Sequence, residues 1–195
     1  MGKMTLHDEG GNRLYLSQDE RTAFLETAKL QLPEVRTLAE TLVYTGCRIS
    51  EALELVPKRV QLKVGRIVFR SLKKRGRVHY REIPVPSDYL DTLNVVHNIR
   101  KHQQSQGKES ISLWPWQRMQ AYKHIKRVMK EAGIPDGKRQ SPKGLRHAFG
   151  VTAIGKGVPL NILQKWLGHS SMETTAIYAD AVGKEENEIA LKMWN

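Results

Sequence analysis

The sequence predicts an α+β chain, mainly helical, with one small three-stranded antiparallel sheet. Two observations lead there. Apolar residues recur three and four positions apart over most of the chain, the spacing of one helix face. Between residues 60 and 85 the period drops to two, in short segments rich in β-branched residues and separated by turn formers. A length of 195 residues suits one domain with a real core.

Residues 1–14 contain Gly2, Gly10, Gly11 and Asn12 and predict a flexible lead-in. Ser17-Gln18-Asp19-Glu20 has capping-box spacing, with Phe24, Leu25 and Ala28 as the apolar face of the helix behind it. Pro33 suits the first turn of a second helix, where its missing N–H costs nothing. Val35, Leu38, Ala39, Leu42 and Val43 form that helix's core face, and Gly46 ends it. A short helix is expected from Ile49 to about Leu55. Strands are expected at Val60–Lys63, Arg66–Ser71 and Val78–Val85. Gly65 makes the first turn and Lys73-Lys74-Arg75-Gly76-Arg77 the second. Ser87 to about Gln104 reads as one helix, followed by a polar surface linker through Lys108. Leu113-Trp114-Pro115-Trp116 is a short anchor. A helix from about Gln117 to Ala132 carries the basic stripe Lys123, Lys126, Arg127 and Lys130. After a loop at 133–140, Pro142 starts a helix to about Lys156, and Pro159 starts the next. That one ends at Leu167-Gly168. Ser170 or Ser171 then caps a new helix carrying Tyr178. Residues 184–195 form a last amphipathic segment.

Thirty-two Lys and Arg against twenty Asp and Glu leave a formal charge of +12, which favours a polyanionic partner. One cysteine, Cys47, excludes an internal disulfide framework and fits a reducing compartment. No apolar run approaches the roughly 20 residues of a membrane span, and the N-terminus lacks a signal-peptide core. The cytoplasm is therefore expected, without membrane association. Metal-ligand spacings are absent, so neither a metal nor another cofactor is expected.

Tyr178 is a candidate nucleophile. A phenol has an ordinary pKa of about 10, and cationic neighbours lower it and stabilise the phenolate. Two stretches supply such neighbours: Thr45-Gly46-Cys47-Arg48-Ile49-Ser50-Glu51 and Pro142-Lys143-Gly144-Leu145-Arg146-His147.

With Leu167-Gly168-His169, these boxes resemble the tyrosine recombinase, or phage integrase, family. Its pattern is T-G-x-R-x-x-E, a lysine on a β-hairpin, H-x-x-R, L-G-H, and a tyrosine about nine residues later. The matching residues are Arg48 with Glu51, Lys74 (Lys73 the alternate), Lys143 where the family has histidine, Arg146, His169 and Tyr178. The match runs from about Leu16 to Asp180. The resemblance implies the tyrosine recombinase catalytic-domain fold over 15–183, in a minimal form lacking the N-terminal core-binding domain or as a fragment. It implies site-specific cleavage and rejoining of DNA strands through a 3′-phosphotyrosine ester, without metal or cofactor. Arg48, Arg146 and His169 would hold the phosphate, the hairpin lysine would protonate the leaving oxygen, and Glu51 would orient Arg48. Lys143 is a good phosphate donor but a poor base at neutral pH, since a lysine ordinarily titrates at about 10.4. His147 is expected either to pack behind the site or to support the residues that form it. Lys73, Arg75, Arg77, Lys123, Lys126, Arg127, Lys138 and Arg139 are candidate DNA contacts. Implied partners are double-stranded DNA, a homotetramer assembled on it with 184–195 docking on a neighbouring subunit, and accessory DNA-binding proteins. Two other readings stay open: a catalytically silent DNA-binding regulator of the same fold, and a type IB topoisomerase-like enzyme that nicks and religates.

Overall fold

The computed structural model describes residues 5–72 and 78–179. The hairpin tip at 73–77, with Lys73, Lys74, Arg75 and Arg77, and the expected segment 184–195 lie outside the described residues.

The helices are α1 (Gln18–Lys29), α2 (Pro33–Thr45), α3 (Ile49–Leu53), α4 (Ser87–His97), α5 (Ile99–Gln103), α6 (Arg118–Glu131), α7 (Pro142–Gly155), α8 (Leu160–Leu167) and α9 (Glu173–Ala176). Between α3 and α4 lie β1 (Val60–Gln61), β2 (Arg66–Leu72) and β3 (Val78–Pro84). They form one antiparallel sheet in the order β1-β2-β3, with Phe69 opposite Arg81 and Ser71 opposite His79. The fold is therefore mainly helical with the expected sheet.

Local chemistry sets most boundaries. The capping box of α1 is formed: the Glu20 amide donates to the Ser17 hydroxyl, and the Ser17 amide donates to the Glu20 carboxylate at 2.8 Å. Gly46 ends α2 in the left-handed region at φ 58°. A Cβ there would lie 2.5 Å from the Phe149 ring, so this chain reversal needs glycine on two counts.

Three expectations change. The predicted helix from Ser87 to Gln104 is two helices, broken at Asn98, which sits at φ 49°. Asparagine tolerates that region better than other side chains that carry a Cβ. The Asn94 side chain accepts from the Arg100 amide at 2.9 Å and starts the new direction. The break lets His97 bond Thr37 at 2.9 Å, while Gln103 donates to the Pro57 and Val60 carbonyls. Secondly, residues 5–14 are tied down rather than loose. His7 and Arg13 form a bridge, and Leu6 is buried. Thirdly, α9 is four residues long and ends before Tyr178, which lies in the turn after it.

The core has two parts, and α7 divides them. Leu145 and Ala148 face a large cluster that includes Phe24, Leu38, Leu42, Phe69, Leu93 and Trp114. Phe149 and Ala153 face a smaller one with Leu6, Leu163, Leu167 and Tyr178. Arg146 and His147 lie on the same two turns of α7, between these apolar bodies.

Asn98→Gly should keep or slightly raise stability, because glycine takes φ 49° without strain. Asn98→Val should cost about 1–2 kcal/mol. Urea unfolding midpoints at unchanged slope check both.

Candidate active site

Four elements meet at a cleft of about 800 Å³, lined by Arg48, Glu51, Ser71, Arg81, Gly168 and His169 among others. Arg48 is the N-cap of α3, and its side chain is half exposed. Glu51, one turn on, takes the Arg48 amide at 2.8 Å and the Arg48 guanidinium at 3.0 Å. Glu51 also accepts from Ser71 at 2.9 Å and from both terminal nitrogens of Arg81, at 3.1 and 2.7 Å. Burial alone would raise the Glu51 pKa. The hydrogen bonds and charge of Arg81, helped by Arg48, override it and hold the carboxyl down at about 2.

Arg146 is 6% exposed. One terminal nitrogen donates to the Gly46 carbonyl at 2.7 Å, the other to the Leu167 carbonyl at 2.6 Å. It thereby ties the loop before Arg48 to the loop before His169. Burial, with the charge of Arg48 beside it, lowers its pKa to about 10, so it stays charged at neutral pH.

His169 follows the left-handed Gly168 that caps α8, and its Nδ1 bonds the Thr175 hydroxyl at 3.0 Å. Burial first, then Arg146 and Arg48, push its pKa down to about 3, so the ring is neutral. A Thr175 hydroxyl donating to Nδ1 puts the ring proton on Nε2, as a donor.

Tyr178 is fully buried. Its phenol bonds His147 Nδ1 at 3.1 Å, and its ring lies nearly parallel to that of His169 at 6.3 Å. The seat exists because residue 150 is glycine: a Cβ there would stand 2.5–2.6 Å from the Tyr178 ring. The sequence predicts a phenol lowered by cations. Here burial wins and pushes it up to about 12, while Arg146 and Arg48 pull the other way. His147, buried and beside Lys143 and Arg146, falls to about 4. With the phenol pushed up and the imidazole pushed down, proton transfer from Tyr178 to His147 is disfavoured. The bond holds the phenol protonated. His147 thus bonds the phenol directly, and its buried Nε2 has no hydrogen-bond partner among the described residues.

Arg48, Arg146, His169 and Tyr178 are therefore brought together from across the chain. Lys143 is exposed on the first turn of α7, three residues before Arg146 and so on the same face. The described candidate DNA contacts, Lys123, Lys126, Arg127, Lys138 and Arg139, do not line the cleft. Lys123, Arg127 and Lys138 are exposed, and Arg127 pairs with Glu131. Lys126 bonds Gln140, and Arg139 turns to Glu20 at 3.3 Å, so these two are engaged within the fold. Sequence patterning passed over Arg81. Its signal was the strand period: it shares a face of β3 with buried Ile83, an odd place for a charge unless something pairs it. Among the described residues no group of His, Cys, Asp and Glu is placed to hold a metal ion. No described helix is long and apolar enough to cross a membrane.

The model of the phage integrase family matches residues 15–185. The probable integrase/recombinase protein MJ0367 of Methanocaldococcus jannaschii is 33% identical over 151 residues, which are 73% of this chain and 44% of that protein. Tyrosine recombinase XerA of Pyrococcus furiosus is 27% identical over 179 residues, 89% of this chain and 59% of that one. The chain thus spans about half the length of these curated relatives. The crystal structure of XerA recombinase superposes with a TM-score of 0.74 at 24% identity, covering 92% of this chain and 64% of that one. The catalytic domain of bacteriophage HP1 integrase gives 0.66 at 22% identity, covering 91% and 93%. These likenesses establish the fold.

Gly150→Ala should displace the Tyr178 ring, exposing the phenol and returning its titration toward 10. Ultraviolet titration against Tyr178→Phe reads it. Glu51 has a folded pKa below its ordinary 4.5. Its stabilisation is present above about pH 4.5 and lost as pH falls toward 2, on the order of 3 kcal/mol. Glu51→Gln should flatten the stability profile across that window, and the two unfolding curves should converge near pH 2.

Proposed function

The chain belongs to the phage integrase family, and from that membership we propose that it is a site-specific recombinase, cutting and rejoining double-stranded DNA through a 3′-phosphotyrosine ester. The observation that supports the reading is that Arg146 and Arg48, from separate elements, lie near enough to Tyr178 for their charges to pull its pKa down, while the His169 ring lies nearly parallel to it at 6.3 Å. Hydrolysis would need only a water and its activator. A phenol set among two guanidinium groups and an imidazole suits a transfer that keeps the phosphodiester energy in a covalent ester.

In the proposed reaction the Tyr178 oxygen attacks phosphorus, and the P–O5′ bond breaks. The phenol, exposed when the turn after α9 lifts, gives its proton to solvent water as it attacks, and the 5′ oxygen takes a proton from the hairpin lysine, Lys74 or Lys73. Arg48 offers a planar pair of N–H donors to the non-bridging oxygens. Arg146 has donors beyond those given to Gly46 and Leu167, out of its five N–H groups. His169 adds a neutral donor through Nε2. Lys143, exposed above Arg146, brings a further positive charge to the phosphate. A free 5′ hydroxyl from another strand reverses the step. A tetramer on two DNA sites and accessory proteins belong to the same reading.

In this conformation Tyr178 is fully buried and Arg146 nearly so. The proposed chemistry therefore requires the turn after α9 to lift Tyr178 off Gly150 when DNA docks. The same burial is what a silent DNA-binding regulator would display, and one assay separates the two. Incubate the protein with a library of nicked duplexes of random sequence, denature in detergent, and recover DNA held by protein. The expected result is a covalent adduct from the wild type and none from Tyr178→Phe. No adduct from any duplex would leave the regulator. On the recovered duplexes, Lys143→His should keep or raise the rate, while Lys143→Ala should lower it on the order of 100-fold. Full activity in Lys143→Ala would exclude a role for that side chain.

A further inference from the structure

Arg81 is assigned no role by the family pattern, yet its guanidinium bonds three residues at the cleft, Trp166, Glu51 and Ser71. It lies on β3, is 6% exposed, and spans three elements. Its Nε donates to the Trp166 carbonyl, in the last turn of α8, at 2.7 Å. Its two terminal nitrogens grip both oxygens of Glu51 on α3. One of them also bonds Ser71 on β2. The guanidinium carbon stands 5.3 Å over the centre of the Phe69 ring, which walls the other side. Gly168 leaves the room: a Cβ there would lie 3.2–3.3 Å from Arg81 Cδ, Nε and Nη1.

Each partner leads to a group facing the phosphate in the reading above. Glu51 holds the Arg48 backbone amide and guanidinium. Trp166 immediately precedes Leu167, whose carbonyl takes Arg146, and lies three residues before His169. Ser71 and Arg81 flank the hairpin tip at 73–77 on its two strands. We propose that Arg81 is a positioning residue that sets Arg48 and His169 relative to one another and registers both to the β2–β3 hairpin. This rests on the reading of Arg48 and His169 as phosphate ligands. Lysine cannot take the place: one ammonium on a flexible stem reaches either the Trp166 carbonyl or the Glu51 carboxylate, and lacks the planar fork that grips both of its oxygens.

The test uses the full chain and the duplexes that form adducts with the wild type. Arg81→Lys keeps the charge. It is expected to bind those duplexes within about twofold of wild type, and to form adducts on the order of 100-fold more slowly at saturating DNA, the loss typical of misplaced reacting groups. The rate should also gain an acid limb, because Glu51 without its paired arginine protonates at higher pH than in the wild type. Glu51→Gln/Arg81→Met removes both charges, leaves no lone buried carboxylate, and should melt near the wild type while remaining slow. A DNA-independent measurement separates this inference from the functional reading: the Arg48 Nε–H resonance of the labelled protein should move in Arg81→Lys. Wild-type adduct rate and pH profile in Arg81→Lys, or an unmoved Arg48 resonance, would overturn the positioning role while leaving the recombinase reading intact.

Discussion

The C-terminus of α8 is where the site is held. The last four carbonyls of a helix have no partner within it. Here each finds one. The Gln164 carbonyl takes the amides of Gly168 and His169, and the Lys165 carbonyl takes the Gly168 amide again. The Trp166 carbonyl takes Arg81 and the Leu167 carbonyl takes Arg146. Two buried guanidinium groups thus close the negative end of one helix dipole. Through them α8 is bound to the sheet on one side and to the α2–α3 loop on the other. His169 has its place because this helix end cannot shift without orphaning a carbonyl or a buried charge.

Burying two arginines beside each other is costly, several kcal/mol per ion once removed from water. Glu51 offsets it for Arg81, through bonds to both of its oxygens, and the same carboxylate orients Arg48. Among the described residues Arg146 has no carboxylate in contact, and its guanidinium is held by the Gly46 and Leu167 carbonyls. The two histidines respond as physics requires: both lie in a positive, desolvated environment, and both are held neutral. The result is a site with fixed cations, neutral imidazoles and one strongly ionised carboxylate. Such an arrangement attracts an anion without titrating near neutral pH.

The nucleophile candidate answers to a different balance. Tyr178 sits against Gly150 and between two imidazoles, in the smaller of the two cores. Cations pull its pKa down and burial pushes it up, and burial is the larger effect. A phenol so placed is protected and unreactive. In the proposed reaction, activation would consist of exposure: moving the ring toward solvent and phosphate would remove the desolvation penalty and leave the arginine charges to act. The short α9, with one turn of helix before the tyrosine, has little of its own to resist that motion.

What the residues decided by themselves was local. Pro33, Gly46, the Ser17–Glu20 box, the switch of period at residue 60 and the order of the boxes around Arg48, Arg146, His169 and Tyr178 were all readable. Each rests on backbone geometry or side-chain reach over a few positions. The break at Asn98 escaped because a continuous apolar stripe hides a turn that only the packing of His97 and Gln103 demands. Arg81 escaped because its partners lie 30 and 85 positions away along the chain. The sign of the Tyr178 shift was beyond reach for the same reason. Nearness of charge can be guessed from motif order, but desolvation is summed over every element that closes around a group. The folded chain alone determines whether a phenol among arginines faces water or a glycine notch.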